Sequence, residues 1–431
     1  MQPYASCSNS FEIGSSLIRA VQMKAIKLED VAESEPVPYP MARTNPFDPP
    51  SEFSWFREHQ PLRRLSYPDG HLGWLVTSCA LARTILADAR FSSRSELIRQ
   101  PRSHHIGDTL MGKPAPPAFL LGIDPPDHTR LRRLLLGRFS GQRMNELRPQ
   151  IEQIVASQLN AMQRSGPPVD LLEGYALPIP SLAVSALLGV PPSDRATFER
   201  SAAVLMHLES TPEQTAAANQ EILSYLRELA QHKRLHRSDD LLGFCWGLVE
   251  GGQLTEDELL SIAFQMLIAG HETSAAMIAL GAFALLCHPD QRERLLADPQ
   301  LIRNAVEELV RYLSIGDLGI NRTALENVEL AGRLIKAGDS VTISVAAANR
   351  DPVVFENPDR LDLTRKVSGH MGFGHGVHAC IGQHLARLEM QIAYPALFGK
   401  FPTLRLAVPQ EDIPLRNDSS VFRVHRLPVA W

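Results

Sequence analysis

Cysteine is scarce in this chain and is not organised. The five present (Cys7, Cys79, Cys245, Cys287 and Cys380) are odd in number and lack metal-type pairing, which argues against a disulfide framework and for a reducing compartment. Basic excess is also missing. A formal net charge of −5 speaks against a nucleic-acid binder. No leader stands out, because the apolar residues near the N-terminus are broken by Glu12, Lys24, Lys27, Glu29 and Asp30. No long Gly/Ser-rich linker or charge block divides the 431 residues. An apolar run long enough for a membrane also fails, since the best stretch, Ile262 to Cys287, carries Gln265, His271, Glu272 and Thr273 at its centre. A buried core helix with a working polar patch fits that stretch better, and a cytoplasmic protein is expected.

What the chain does have is a stretch near its C-terminus, Gly372 to Gly382, with four glycines in eleven residues and Cys380 just ahead of a helical pattern (Ile381 to about Lys400). Glycines at that density permit positive φ and close backbone approach. A cysteine at a helix N-terminus meets the positive end of the macrodipole and free N–H donors, and both favour thiolate. One thiolate on a rigid loop is a known axial ligand of haem iron. The plainer reading is a structural cysteine beside a turn.

The spacing Phe-x-x-Gly-x-x-x-Cys-x-Gly, here Phe373, Gly376, Cys380 and Gly382, closely resembles the haem-binding loop of the cytochrome P-450 superfamily. That resemblance implies a mainly α fold, a large helical region with a smaller β-rich one, over residues 46–431. It implies haem b, with Cys380 as the iron ligand and Phe373, Gly374, His378 and Gly382 around the cofactor. Residues 1–45 match no motif of the family. Residues 16–31 can form a short amphipathic helix, and the expectation is a flexible or loosely docked extension.

The rest of the chain adds four further motifs. Leu62–Ser66 and Leu72–Thr77 flank Pro68-Asp69-Gly70, the pattern of a β-hairpin, and residues 92–119 lack a period and read as a long loop. In Asp124-Pro125-Pro126-Asp127-His128-Thr129-Arg130-Leu131-Arg132, Pro126 starts a helical turn and His128 and Arg132 share a face. Alone that is a solvated basic face; in the family the pair holds a haem propionate. Helical spacing follows over 143–164, 181–207 and 213–236. Thr255-Glu256-Asp257-Glu258 is a capping box that opens a helix to about Cys287. Inside it, Ala269-Gly270-His271-Glu272-Thr273-Ser274 is locally unfavourable for a helix, which marks a site. The resemblance makes this the distal helix, where Ala269 and Gly270 leave room for dioxygen and Glu272 and Thr273 relay protons.

Glu308 and Arg311 lie at i and i+3 in a helix at roughly 302–314, a pattern common on surfaces. The family buries it and adds a downstream arginine, matched here to Arg360, as support for the proximal side. Short strands are expected at Val328–Leu330, Leu334–Ile335 and Val341–Val345, and the family pairs the residue matching Arg322 with a propionate. Pro395 predicts a kink or break in the last helix. The stretches 311–317, 347–351 and 427–431 look most like soluble actinobacterial enzymes that tailor natural products. The resemblance therefore implies a monooxygenase that takes dioxygen and electrons from a ferredoxin and its reductase, acting on a bulky lipophilic molecule such as a macrolide. A nitric oxide reductase or peroxygenase, or a non-catalytic haem-binding partner, are the alternatives. The first two typically alter the acid–alcohol pair and the last usually loses the cysteine or Glu-x-x-Arg elements, all of which stand here.

Overall fold

The computed structural model describes residues 35–102, 112–191, 193–194, 200–201, 204–205, 210–416 and 420–431. Its first third holds α1 (Glu52–His59), β1 (Leu62–Ser66), β2 (Leu72–Val76), α2 (Cys79–Ala87), β3 (Phe91–Ser92) and α3 (Asp127–Leu136). A helical middle follows: α4 (Gly141–Glu146), α5 (Arg148–Ser165), the short β4 (Val169–Asp170), α6 (Pro178–Leu188), α7 (Pro212–Leu235) and α8 (Leu241–Glu250). Then come α9 (Glu256–Cys287), α10 (Pro289–Ala297) and α11 (Ile302–Leu313). The last third begins with β5 (Ile320–Ala324), β6 (Val328–Leu330), β7 (Arg333–Ile335), β8 (Ser340–Ile343) and α12 (Val345–Ala348). It closes with α13 (Gln383–Lys400), β9 (Arg405–Leu406), β10 (Leu415–Arg416), β11 (Arg423–Val424) and β12 (Pro428–Ala430). The molecule is mainly α with small sheets, as expected.

Helix α9 is the axis. Thr255 Oγ1 accepts from the Glu258 N–H while Glu258 returns a bond to the Thr255 N–H, so the expected capping box forms. Three acids in its first turn complement the macrodipole. Beyond the first turn its residues are buried almost all round, because α6, α7, α8, α11 and α13 pack against it. Among the described residues it is the one helix long and apolar enough to cross a membrane, yet 78% of its apolar window is buried inside the protein. Packing against α13 is close. A Cβ on Gly281 would fall 2.0 Å from Tyr394 Oη, which donates to the Met277 carbonyl at 2.6 Å.

The largest sheet runs β1-β2-β8-β5-β3. The expected hairpin is there, with Leu62 opposite Val76 and Ser66 opposite Leu72, and Gly70 at φ +81° in its turn. β8 joins β2 in parallel and β5 antiparallel.

Three expectations need correction. The helix read over 143–164 is two helices, broken at Leu147 because Pro149 sits in the first turn of α5, where its missing N–H is tolerated. Pro395 does not break α13, which continues to Lys400 while Tyr394, Leu397 and Phe398 are buried around it. The helix read over 181–207 ends at Leu188, where Gly189 at φ +75° caps α6. Ahead of residue 46, Val37 bridges to Leu65, Tyr39 is buried against Phe53, and Arg43 pairs with Asp317 at 2.8 Å while lying over the Phe422 ring. Residues 1–34, with the helix expected at 16–31, lie outside the described residues, as do 103–111 of the long loop.

Candidate active site

The glycine-rich stretch is a loop between Met371 and α13, held by its own backbone. Gly374 N–H donates to the Met371 carbonyl and Cys380 N–H to the Phe373 carbonyl, each at 2.8 Å. Gly374 and Gly376 both adopt φ +73°, and a Cβ on Gly376 would meet the Leu86 carbonyl at 2.2 Å. Glycine is therefore required at 376 by conformation and by space. Asn349 anchors the start of the loop by accepting the Met371 N–H at 2.6 Å. Arg387 covers the Phe373 ring and pairs with Glu307 at 2.6 Å.

The loop forms one side of a cavity of about 420 Å³. Cys380 is accessible, yet it lies deep among protein atoms, because the space it opens onto is this cavity. Burial raises the thiol pKa, and the backbone N–H groups of Gly382 and Gln383, with Arg132 and Arg387, oppose it. The helix begins at Gln383 rather than Ile381, so its free first-turn donors are aimed at the sulfur. A metal cation at that sulfur would tip the balance to thiolate.

Helix α9 presents Gln265, Met266, Ala269, Gly270, Thr273 and Ser274 to the same cavity. Spacings of three and four put these residues on one face. Thr273 Oγ1 donates to the Ala269 carbonyl at 2.7 Å. The structure does not bring Glu272 there. One residue along a helix is a turn of about 100°, and Glu272 points instead at Arg423, 3.1 Å from its Nε, and Arg416 at 4.0 Å. Burial raises the Glu272 pKa against those two arginines.

A cluster of donors lies at another side of the cavity. His128 and Arg132 on α3, Arg322 on β5 and His378 in the loop all line it. Arg132 donates to the Ala379 carbonyl at 2.5 Å, and the His128 and His378 rings lie 4.1 Å apart. Among the described residues, neither ring nitrogen of the buried His128 has a partner. Burial and the Arg322 charge hold His378 down at about 3, and burial lowers Arg322 to about 10. So many donors with so little negative charge suit a bound anion. The carboxylate that does act on them, Asp124, is occupied with Ser92 and Ser93, and Ser93 Oγ meets His378 Nε2 at 2.9 Å.

Glu308 and Arg311 are fully buried and lie outside the cavity lining. Arg311 donates to both Glu308 oxygens at 2.7 and 2.8 Å, then to the Asn349 and Pro358 carbonyls. The expected third member, Arg360, is not in this network through its side chain, which is exposed. Arg365 takes the place, its Nε 3.1 Å from Glu308 Oε1. Asn357 at φ +47° turns the chain so that Arg360 offers only its carbonyl, to Arg311 and Arg365.

Two residues went unassigned in the sequence. Gln265 accepts from the Leu120 N–H at 2.8 Å and donates to the Ala118 carbonyl at 2.7 Å, fastening the end of the long loop over the cavity. Its place as a polar residue in an apolar helix was the available signal. Ser93 carries no signal of its own.

The cytochrome P450 family profile matches residues 197–429. Cytochrome P450 105C1 of Streptomyces sp. is 44% identical over 402 residues, 93% of this chain and all of the relative. The chain belongs to the cytochrome P450 family. Pentalenic acid synthase of Streptomyces avermitilis, another P450 relative, is 41% identical over 92% of this chain and 98% of its own. Among solved structures, CYP105P1 in complex with filipin I superposes with a TM-score of 0.84 at 39% identity, covering 92% of this chain and 99% of that one. This P450 is accordingly a haem-thiolate monooxygenase of actinobacterial type, with haem b as its cofactor. Bacterial members generally draw electrons from ferredoxin and ferredoxin reductase and use dioxygen. The chain's own residues fit haem on two observations: a soft sulfur donor at the cavity and a buried donor cluster short of anions.

Proposed function

We propose that Cys380 is the iron ligand, that His128, Arg132, Arg322 and His378 hold the haem propionates, and that Phe373, Gly374, Gly382, Ala269 and Gly270 lie along the ring. The observation that carries this reading is the Cys380 thiol, backed by two backbone N–H groups, facing the same cavity as Thr273. Haem b when bound activates dioxygen and supplies the chemistry that places one of its atoms in the substrate. Thr273 is the hydroxyl that delivers a proton in the cavity, and it must leave the Ala269 carbonyl to do so. Glu272 serves from behind, its charge balanced by Arg423 and Arg416. Glu308, Arg311 and Arg365 hold the coil beneath the loop. The catalytic domain spans 46–431, with residues from Val37 onward docked on it, and the enzyme works in the cytoplasm.

The substrate is a bulky, uncharged lipophilic secondary metabolite, with a macrolide the leading class. Away from the donor cluster the described lining is mainly apolar, as at Leu120, Val184, Met266, Ile315, Ile320 and Val421, and among the described residues it includes no further Asp, Glu, Lys or Arg side chain. Electrons come from a ferredoxin system. The test is the spectrum of the reduced, carbon monoxide-treated protein, wild type beside Cys380→Ala. A strongly red-shifted Soret band that the variant lacks is expected. A histidine-type band unchanged by the substitution would overturn the assignment.

A further inference from the structure

Where the long loop returns to the cavity, it makes a turn that its sequence does not favour. Phe119 N–H donates to the Pro116 carbonyl at 3.1 Å, which closes a turn with Pro117 and Ala118 at its centre. Ala118 stands at φ +56°. A proline followed by a residue at positive φ is the type II arrangement, which favours glycine in the place that alanine holds here. The Ala118 side chain makes that backbone strained. What offsets the strain comes from α9. Gln265 Nε2 donates to the Ala118 carbonyl at 2.7 Å, and Gln265 Oε1 accepts from the Leu120 N–H at 2.8 Å. Nε2 also donates to the Ser261 carbonyl at 3.1 Å, one turn back on the same helix. Gln265, Ala118 and Leu120 are all buried, and Gln265 and Leu120 line the cavity.

The chemistry of the amide fixes its orientation and its effect. Turned the other way, it would set its N–H groups against the Leu120 N–H and its oxygen against two carbonyls. As it stands, both N–H groups go to the Ala118 and Ser261 carbonyls and the oxygen to Leu120, so the cavity gains no donor from Gln265. Parting the two segments would leave a buried N–H and a buried carbonyl unpaired, and that cost holds the amide on the loop. Just beyond, the Gly122 carbonyl accepts from the Ser95 N–H at 3.1 Å. A change at Gln265 therefore loosens the stretch around Ala118 and Leu120 without freeing the whole loop.

We infer that Gln265 is a specificity-determining residue, clasping the strained turn so that Leu120 keeps a fixed place in the cavity wall. This rests on the monooxygenase reading above and deepens it. Gln265 acts by positioning. A ligand that packs against Leu120 finds that part of the wall already in place and does not have to order it. The part of the substrate beside Leu120 and Met266 meets hydrocarbon and an amide with no N–H left to give. That part is itself hydrocarbon, and any polar group of the substrate lies elsewhere in the cavity.

The test uses the haem-loaded enzyme, two azoles as probes, and a separate reading of the loop. Gln265→Met keeps the length of the side chain and removes its hydrogen bonds. By hydrogen–deuterium exchange, peptides carrying Leu120 should exchange severalfold faster in Gln265→Met than in wild type. Imidazole, too small to reach the loop, should shift the Soret band with the same affinity in both proteins. Clotrimazole, whose three aryl rings fill a cavity of about 420 Å³, should bind severalfold more weakly to Gln265→Met. Ala118→Gly relieves the strain of the turn, so adding it to Gln265→Met should restore much of the slow exchange and of the clotrimazole affinity. Unchanged exchange at Leu120, or no rescue by Ala118→Gly, would overturn the clasp. An unchanged ratio of the two azole affinities, including an equal loss of both, would overturn its part in specificity and is the result for a purely structural amide. Failure of the haem reading looks different: neither azole would shift a Soret band in wild type, whatever the exchange.

Discussion

Thr273 and Glu272 are neighbours in sequence and face different surroundings, and that separates their tests. Thr273→Ala removes the cavity hydroxyl and leaves the Glu272–arginine pairs in place, so haem content should stay while product per electron falls. Product, electron and peroxide yields measured together check this; unchanged coupling would remove Thr273 from the proton path. The buried Glu308 gives a second contrast. Arg311→Ala takes both guanidinium bonds from the buried Glu308, leaving it Arg365 and the Asp362 N–H on one oxygen, and should cost about 3–5 kcal/mol, while Arg365→Ala removes one hydrogen-bonding charge and should cost roughly 1–3 kcal/mol. Arg360→Ala, an exposed side chain, should stay within about 0.5 kcal/mol of wild type. Denaturant midpoints of the three variants give the order. Cys380, His128 and Arg132 were legible because each belongs to a short spacing that works locally. Arg365 was not, since it stands 57 positions from Glu308 and their meeting depends on how the chain between them turns, at Asn357 among other places.

Helices were legible where a cap and a period agreed. Thr255 to Glu258 marked the start of α9, and the structure carries both bonds of the box. The period failed at α4 and α5, since apolar spacing continues across Leu147 although the backbone does not. Of the kink or break expected at Pro395, the break is absent, since α13 runs on to Lys400. A proline inside a helix costs about 3 kcal/mol locally, and here the buried partners of α13 outweigh it. The same crossing of α13 and α9 gives an element-scale prediction at Gly281. Gly281→Ala would push a Cβ onto Tyr394 Oη, 2.6 Å from the Tyr394 ring carbon behind it, so losing the hydroxyl alone cannot relieve the clash. Overpacking of this kind costs about 1–3 kcal/mol, and displacing the tyrosine also loses its bond to the Met277 carbonyl. Tyr394→Phe measures that bond alone, about 1 kcal/mol. Gly281→Ala should therefore be the more destabilising of the two in urea unfolding; the reverse order would show that the crossing is loose.

At the scale of the molecule, both ends of the described chain close over the same region: Arg43 binds Asp317 and covers Phe422, and Phe422 N–H donates to the Ile315 carbonyl beside the cavity. Composition could not show this, because residues 35–45 carry no periodic pattern and dock through one backbone bridge at Val37 and single side chains. A global consequence of the buried site is a pH-dependent stability, and His271 lets its sign be fixed. Burial, with repulsion from Arg423, holds the His271 pKa at about 4, against 6.5 ordinarily, while a bond to the Leu177 backbone opposes the shift. Between those values the unfolded chain binds a proton that the folded protein refuses, so folding stability falls as pH drops from 6.5 toward 4 and changes no further below it. Each pH unit in that window is worth about 1.4 kcal/mol, so the step from pH 6.5 to pH 5 should cost about 2 kcal/mol through this residue. His271→Gln cannot titrate and should lose that part of the slope, while remaining less stable than wild type at pH 7 if the Leu177 bond is broken. Urea unfolding of both proteins at pH 7 and pH 5 decides it: equal pH slopes would mean that His271 is already charged, or reaches water, in the folded protein.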